Sequence, residues 1–433
     1  MATKKLDLVL FGATGFTGTQ TLKHLVQHIP AGFRWAIAGR SREKLEALLP
    51  LCASAASQPV IRLADSTDAA SVDTLVASTR VLIQLAGPYG KNGEVFVAAA
   101  AKYGTHYLDL TGEIGWVADM IERHQAAALE SKAKIIPVCG FEALPFDIAA
   151  LLIASRLKDV SGERAVSVEV INQFTGPPAL RPRDILSGGT MASIKAMLEE
   201  GAGASLTDPA ALVTDDAIAA EIREHGRYDF HARFDKASDA WLAPTVPAPF
   251  VNPPVIYRTI SLLAGLKGSP FARYCHYEEA MSTRGMAPFA LGQRIVAEML
   301  SRSFNAMAKS IDRDGRLDQL GRAAIKQLMD WIGPKPGQGP SEKHLEESGY
   351  TLRMTAVSAS GAIVSGRATA HGHPGYRSTA MLIAEAGLLL AGAGAPGCSA
   401  LPRRAGFLTP ATAFGVGSVP AWARGQMVFA FAQ

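Results

Sequence analysis

The chain is predicted to fold as an α/β protein: a doubly wound parallel sheet, followed by a second α+β domain that contains an antiparallel sheet. Three observations predict it. Through the first third of the chain, apolar runs of strand length alternate with stretches of helical periodicity. A glycine-spaced turn, Gly12-x-x-Gly15-x-x-Gly18, joins the first apolar run to the first helical stretch. After about Leu151 the apolar period changes to two, as in half-buried strands.

Taken in order, Leu6–Phe11 is a short apolar run, and Thr19–Ile29 carries Leu22, Leu25, Val26 and Ile29 at helical spacing before Pro30 stops it. Trp35–Gly39 is a second strand, with a helix starting at Arg40. Val60–Asp65, Val81–Ala86 and Thr105–Leu110 are further strands. Glu94–Tyr103 and Trp116–Ser131 read as helices, and strand Lys134–Val138 completes the alternation. Strands joined by helices through short connections pair in parallel, with helices on both faces. Beyond that, Arg164–Phe174 alternates, with Val166, Val168 and Val170 on one face. Tyr350–Val357, the turn Ser358–Gly361 and Ala362–His371 read as a hairpin. Helices are expected around Ala287–Ser310 and over Thr379–Leu390, and Gly333–Ser341 is a Gly/Pro loop. The expected domains are 1–155 and 156–373, with 374–433 a candidate to pack back on the first.

The 433 residues are 48% hydrophobic and 19% charged, enough apolar content for a large core. Forty-three basic against 39 acidic residues leave +4, without a basic cluster of the kind nucleic acid requires. Cys52, Cys139, Cys275 and Cys398 lie far apart with no metal-ligand spacing, so neither a zinc module nor a disulfide scaffold is expected, and a reducing cytoplasm is. Asp7 interrupts the first apolar run, which does not read as a signal peptide. The longest uncharged stretches, Ala386–Pro402 and Ala405–Ala423, are broken by Gly and Pro, so no spanning helix is expected, and peripheral membrane contact stays an open, minor alternative to a purely cytoplasmic protein.

The glycine turn sits where a dinucleotide fingerprint must sit, after a strand and opening a helix, and this marks the first domain as a Rossmann domain. Gly12 permits the tight turn, Gly15 lets backbone N–H groups approach a pyrophosphate, and Gly18 lets helix and strand pack closely. Thr14, Phe16 and Thr17 complete the cradle, and the helix N-terminus adds partial positive charge. At the end of the second strand an NAD site places Asp or Glu; here stand Arg40, Ser41 and Arg42. A guanidinium fork binds a 2′-phosphate that a carboxylate would repel, so NADP(H) is the expected cofactor. Asp65 is placed to bond near the adenine or to cap a helix. Ala86, Gly87, Pro88 and Tyr89 end the fourth strand on the nicotinamide side.

None of the nine tyrosines is followed by Lys four residues on, which excludes the Tyr-x-x-x-Lys proton donor of short-chain reductases. Cys139 ends a strand and reads as packing rather than as a nucleophile. The chain resembles the saccharopine dehydrogenase-like oxidoreductases, and within them the trans-acting enoyl reductase branch. The resemblance rests on Leu10–Gly18, Ala38-Gly-Arg40, Ala86–Gly90, Gly104–Glu113, Cys139–Asp147, Ser187–Thr190, Gly337–Ser341, Pro374–Tyr376 and the Thr379 helix with Glu385. Glu142 and His373 stand where that family favours Asp. The resemblance implies a Rossmann domain, a second α+β domain and an NADP(H)-linked reaction.

Hydride transfer to an unsaturated acceptor needs a proton donor. Tyr89 is the first choice, since a phenol donates without bringing net charge into an apolar pocket; its other reading is packing or stacking on the nicotinamide. Asp109, Thr111, Glu113, Glu142, Asp147 and Lys91 also lie at the mouth, and Glu113 and Asp147 double as candidate helix caps. His106 reads as a strand-face residue. Arg181, Arg183 and the aromatics Tyr228, Phe230 and Phe234 are candidates to border an acyl pocket, and Gly188-Gly189-Thr190 to hold substrate or cap a helix. Ala243–Val255 and Phe407–Val416 are the expected apolar cleft lining. Three functions stay open: NADPH-dependent reduction of a C=C bond on a lipid or polyketide acyl intermediate, acting in trans; C–N chemistry on an amino acid; and a non-catalytic NADP-binding or lipid-associated scaffold. A homodimer acting on a small-molecule or carrier-linked acyl substrate is expected.

Overall fold

The computed structural model describes residues 4–177, 191, 207–226, 228–245, 249–287, 289–311, 338–425 and 427–431. Strands β1 (Leu6–Phe11), β2 (Trp35–Gly39), β3 (Val60–Leu63), β4 (Thr79–Gln84), β5 (His106–Asp109) and β6 (Lys134–Ile136) come first. They are followed by β7 (Ala165–Thr175), β8 (Arg233–Asp235), β9 (Ala240–Ala243), β10 (Phe271–Ser282), β11 (Gly349–Ser358), β12 (Ile363–His371), β13 (Gly406–Phe407) and β14 (Met427–Phe431).

The first sheet is parallel throughout, in the order β13-β6-β5-β4-β1-β2-β3. β1 lies inside the sheet between β4 and β2 with all six residues buried, because helices cover both faces. Leu8 and Leu10 face one core cluster and Val9 and Phe11 the other. β3 is an edge strand whose Val60 and Leu63 stay exposed. It ends two residues before the predicted Asp65, because the chain turns there.

The second sheet runs β14-β12-β11-β7-β10-β9-β8 and is antiparallel except for the central β7–β10 pair. The predicted hairpin is β11–β12, paired from Gly349↔His371 to Val357↔Ile363. Helix Leu144–Ser161 leaves the first sheet and packs under β7 and β11, so one core cluster runs from Leu8 through Phe146 to Tyr350 and Met354. The C-terminal segment contributes to both sheets, β13 beside β6 and β14 beside β12.

Helix Thr379–Leu390 is buried along its whole length against the first sheet and helix Phe16–His28. Its Glu385 is fully buried; Oε1 meets His24 Nε2 at 2.9 Å and Arg424 at 3.6 Å, which offsets the cost of burying a carboxylate. His28 completes a grouping within 4.8 Å, but the Arg424 cation beside the carboxylate marks an ion-pair network rather than a cation site. A Cβ on Gly387 would lie 2.6 Å from Ile83 and 3.0 Å from Leu8. Gly387→Val is therefore expected to destabilise the protein by about 1–3 kcal/mol through overpacking, read as a lowered urea midpoint with an unchanged slope.

Candidate functional site

The glycine turn folds as its spacing requires. Gly12 has φ +84°, and a Cβ there would lie 3.0 Å from the Ala86 nitrogen. A Cβ on Gly18 would come within 2.1 Å of the Gly12 carbonyl, so any side chain there would force the turn open. Gly15 stands at the N-cap of helix Phe16–His28, whose first turn has no capping side chain and no acid. Thr14 and Gly15 are exposed. The free N–H groups and dipole of that helix thus face open space, which suits an anionic pyrophosphate. Thr17 is half-buried and accepts a bond from Thr21 at its carbonyl. Phe16 leans away from the turn and meets Tyr376 edge-on at 5.2 Å. Gly339 packs so closely on the Phe16 ring that a Cβ would lie 2.6 Å from it. Segments 338–341 and 374–378 therefore flank the turn.

At the rim, Arg40 follows β2, is exposed, and forms no ion pair among the described residues. Its neighbour Arg42 turns away to Glu46 at 3.6 Å. Ser41 accepts the Lys44 N–H at 3.3 Å as the cap of helix Arg42–Glu46. Asp65 accepts the Thr67 N–H and hydroxyl at 3.0 and 2.9 Å, and those bonds, with the nearby Arg40 charge, hold its carboxyl below the usual range. It caps no helix; Asp68 does that for Ala69–Ala77. The residues present fit a nicotinamide dinucleotide.

The nicotinamide side is built from the ends of β4, β5 and β6. β4 stops at Gln84 rather than Ala86 because the Gln84 amide bonds both the N–H and the carbonyl of Ala86, each at 3.0 Å. The Gly87–Pro88 bond is cis. The Glu113 carboxylate then accepts the Tyr89 and Gly90 N–H groups at 2.9 and 2.7 Å. Glu113 thus caps the short helix Tyr89–Asn92, not the helix Ile114–Ser131 that it precedes. The Tyr89 ring is buried beside Trp116. Its hydroxyl donates to the Gln84 carbonyl at 3.3 Å and accepts from Leu110 N–H at 3.2 Å, and burial pushes the phenol well up. These bonds fix the hydroxyl between the ends of β4 and β5.

Asp109, buried at the end of β5, accepts the Thr111 and Val138 N–H groups at 3.0 Å each; burial pushes it up to about 7. It holds Val138 at φ +55°, a strained conformation for a β-branched residue, and so bends the chain into Cys139–Glu142. Cys139 is buried and its thiol pushed well up, which fits packing. The Phe141 N–H donates to Thr379 Oγ1 at 3.0 Å, and that hydroxyl donates to the Pro374 carbonyl, so this loop is latched to the C-terminal segment. Asp147, pushed up to about 7 by burial, accepts from Thr259 and the Ala411 N–H, which makes it a cross-link between elements. His106 accepts the Lys134 N–H and is held neutral by burial, as a strand-face residue. Glu142 is different: half-buried and pushed up by burial, its carboxyl meets its own backbone N–H and receives no bond from another of the described residues.

In the second sheet's layer, Tyr228 and Phe230 stack at 5.7 Å, and Phe250 joins both. Phe234 does not join them; it packs on Trp241. Val251 comes within 3.7 Å of a Cβ position on Gly112, which brings this aromatic group to the mouth of the first sheet. Phe407–Phe414, expected as cleft lining, is instead buried core, where the Phe407 carbonyl accepts from Arg258. Arg181, Arg183 and Ser187–Thr190 lie outside the described residues. The Thr379 latch and the Phe16–Tyr376 contact escaped sequence reading, although the Gly337–Ser341 and Pro374–Tyr376 motifs flagged their neighbourhoods.

A parallel sheet bearing this turn, continued into a second, mainly antiparallel sheet, defines a Rossmann-type protein of saccharopine dehydrogenase-like fold. The comparisons agree. A saccharopine dehydrogenase (L-Glu forming) from Saccharomyces cerevisiae superposes with TM-score 0.51 over 98% of this chain and 99% of that one, at 13% identity. A homospermidine synthase from Legionella pneumophila, solved with NAD, gives 0.53 over 99% and 91%, at 10% identity. No family model matches the chain. Among curated proteins, a trans-acting enoyl reductase of Mycobacterium bovis is 33% identical over 424 residues, 96% of this chain and 94% of the relative. One of Mycobacterium ulcerans is 30% identical over 96% and 94%. The chain belongs to the trans-acting enoyl reductase family.

Proposed function

We propose that this protein is an NADPH-dependent reductase of a C=C bond in an α,β-unsaturated acyl chain, a lipid or polyketide intermediate presented in trans by the enzyme that assembles it. The observation that carries the cofactor choice is Arg40, exposed beside an open, uncapped helix N-terminus with no acid at the position that would bind a ribose 2′-hydroxyl. The names of the relatives, matched along nearly the whole chain, support the acyl substrate.

The N–H groups of Gly15–Gly18 hold the pyrophosphate and Arg40 the 2′-phosphate, while Asp65 stands on the adenosine side. Ala86, Gly87, Pro88 and the buried Tyr89 form the wall beside the nicotinamide, fixed by Glu113. Bound there, the cofactor supplies a hydride to the β-carbon. The α-carbon then needs a proton, and we assign its delivery to Glu142. Glu113 and Asp147 have their carboxyls committed to backbone or hydroxyl partners, Asp109 has Oδ1 committed to two backbone N–H groups that hold the chain's bend, and Tyr89 donates to Gln84. Unlike Glu113 and Asp147, Glu142 receives no bond from another described residue at its carboxyl, and burial pushes it toward the protonated form. The acyl chain lies against Tyr228, Phe230 and Phe250, with about 0.8 kcal/mol of favourable burial per methylene.

The test is turnover followed by loss of reduced-nicotinamide absorbance. NADPH oxidation is expected on enoyl thioesters, with KM falling as the acyl chain lengthens, and none with saccharopine or with lysine plus 2-oxoglutarate. Turnover of the amino-acid pair with no turnover of any enoyl thioester would sink the reading.

A further inference from the structure

Helix Ala290–Ile311 has two unlike faces. Ala297 and Ser301 are buried and Phe304 packs on Phe230 and Phe250, which seats one face on the second domain. On the opposite face Leu291, Ile295 and Met299 recur every fourth residue as a continuous stripe, 69, 51 and 63% exposed. The preceding turn adds Phe289 at 76% and Met286 at 47%. Scattered exposed apolar residues need no explanation, but five in one patch do.

Charge says what the patch faces. Residues 284–311 hold four basic side chains, Arg284, Arg294, Arg302 and Lys309, against the single acid Glu298, a local net of +3. Glu298 is shared between Arg294 at 2.8 Å and Arg302 at 3.7 Å, Arg294 also lies over the Trp241 ring and Arg284 donates to the Ser238 carbonyl, so among the described residues one carboxylate serves two of the four cations and the helix keeps a positive surplus. Arg302 is 82% exposed. An apolar stripe flanked by basic side chains is the arrangement of a helix lying in a membrane interface, its apolar face at the headgroup–acyl boundary and its cations among the phosphates. A second copy of the chain fits less well. A patch of this kind amounts to about 300–600 Å², below the ~800 Å² each partner contributes to a stable interface, and both copies would bring the same positive charge.

We propose that this face docks on an anionic lipid surface. The proposal stands whether or not the reductase reading does. Co-flotation of the full chain tests it. Binding is expected to vesicles of equal parts phosphatidylcholine and phosphatidylglycerol and not to phosphatidylcholine alone, and it should weaken with added salt. Leu291→Glu with Ile295→Glu should lower that binding more than about tenfold, at unchanged unfolding midpoint. Arg302→Glu should weaken it several-fold while leaving the apolar stripe intact. No binding to the anionic vesicles at low ionic strength would overturn the proposal. So would undiminished binding by the double variant, or a dimer in light scattering that the double variant converts to the 45.7 kDa monomer.

Discussion

Arg40→Glu is expected to weaken NADPH binding by at least about a hundredfold while leaving NADH binding within about threefold. A charge-assisted, two-pronged bond from guanidinium to phosphate contributes about 1.5–3 kcal/mol, and the substituted carboxylate adds repulsion to the loss. At 1.4 kcal/mol per factor of ten, the lost bond alone accounts for about ten- to a hundredfold, and the repulsion carries the loss to the upper figure and beyond. The carboxylate can also accept from a ribose 2′-hydroxyl, so the variant's preference should turn toward NADH. Fluorescence titration with both nucleotides reads the two affinities without substrate. Arg40 is exposed and makes no hydrogen bond or ion pair among the described residues, so the unfolding midpoint should not move. Equal NADPH affinity in wild type and variant would remove the case for a 2′-phosphate site at this rim.

The first sheet was legible because its signals are local. Fully apolar strands, helices of 3.6-residue period and a glycine turn each declare themselves within about ten residues, and the rules of parallel pairing assemble them. The second sheet was legible only at β7 and the β11–β12 hairpin, where period-two alternation is clean. β10, its longest strand, escaped because a register shift between Phe271 and His276 breaks the alternation, and because polar Arg273, Glu278 and Glu279 crowd its span. β13 has only two residues, too few for any pattern, and β14 stands at the chain's end without the strand–helix alternation that marked the equally short strands of the first sheet. The cofactor cradle was likewise a matter of local spacing. The mouth was not: whether a carboxyl there is free or committed depends on partners far along the chain, Glu113 on the Tyr89 amide and Asp147 on the Ala411 amide. Sequence reading could place Tyr89 at the mouth, but not that its hydroxyl is taken by Gln84 and Leu110.

Glu142→Gln is expected to lower kcat on an enoyl thioester by about 10²–10⁴-fold, the usual contribution of a positioned general acid. NADPH affinity and KM should change little, because the amide keeps the size of the side chain and no other residue bonds the carboxyl it replaces. The pH profile separates this role from a structural one. Burial raises the Glu142 pKa, and the protonated form is the one that donates. Activity should therefore be full below that raised pKa and fall as pH climbs through it, whereas the Gln variant should show a flat, low rate across the same window. Glu142→Asp keeps a carboxyl one methylene further from the acceptor, and should recover part of the rate together with the falling limb. If Glu142→Gln instead keeps wild-type kcat with the falling limb intact, the proton comes from elsewhere. The next group to examine is then Asp109, whose Oδ2 is buried without a partner and whose carboxyl is pushed up to about 7.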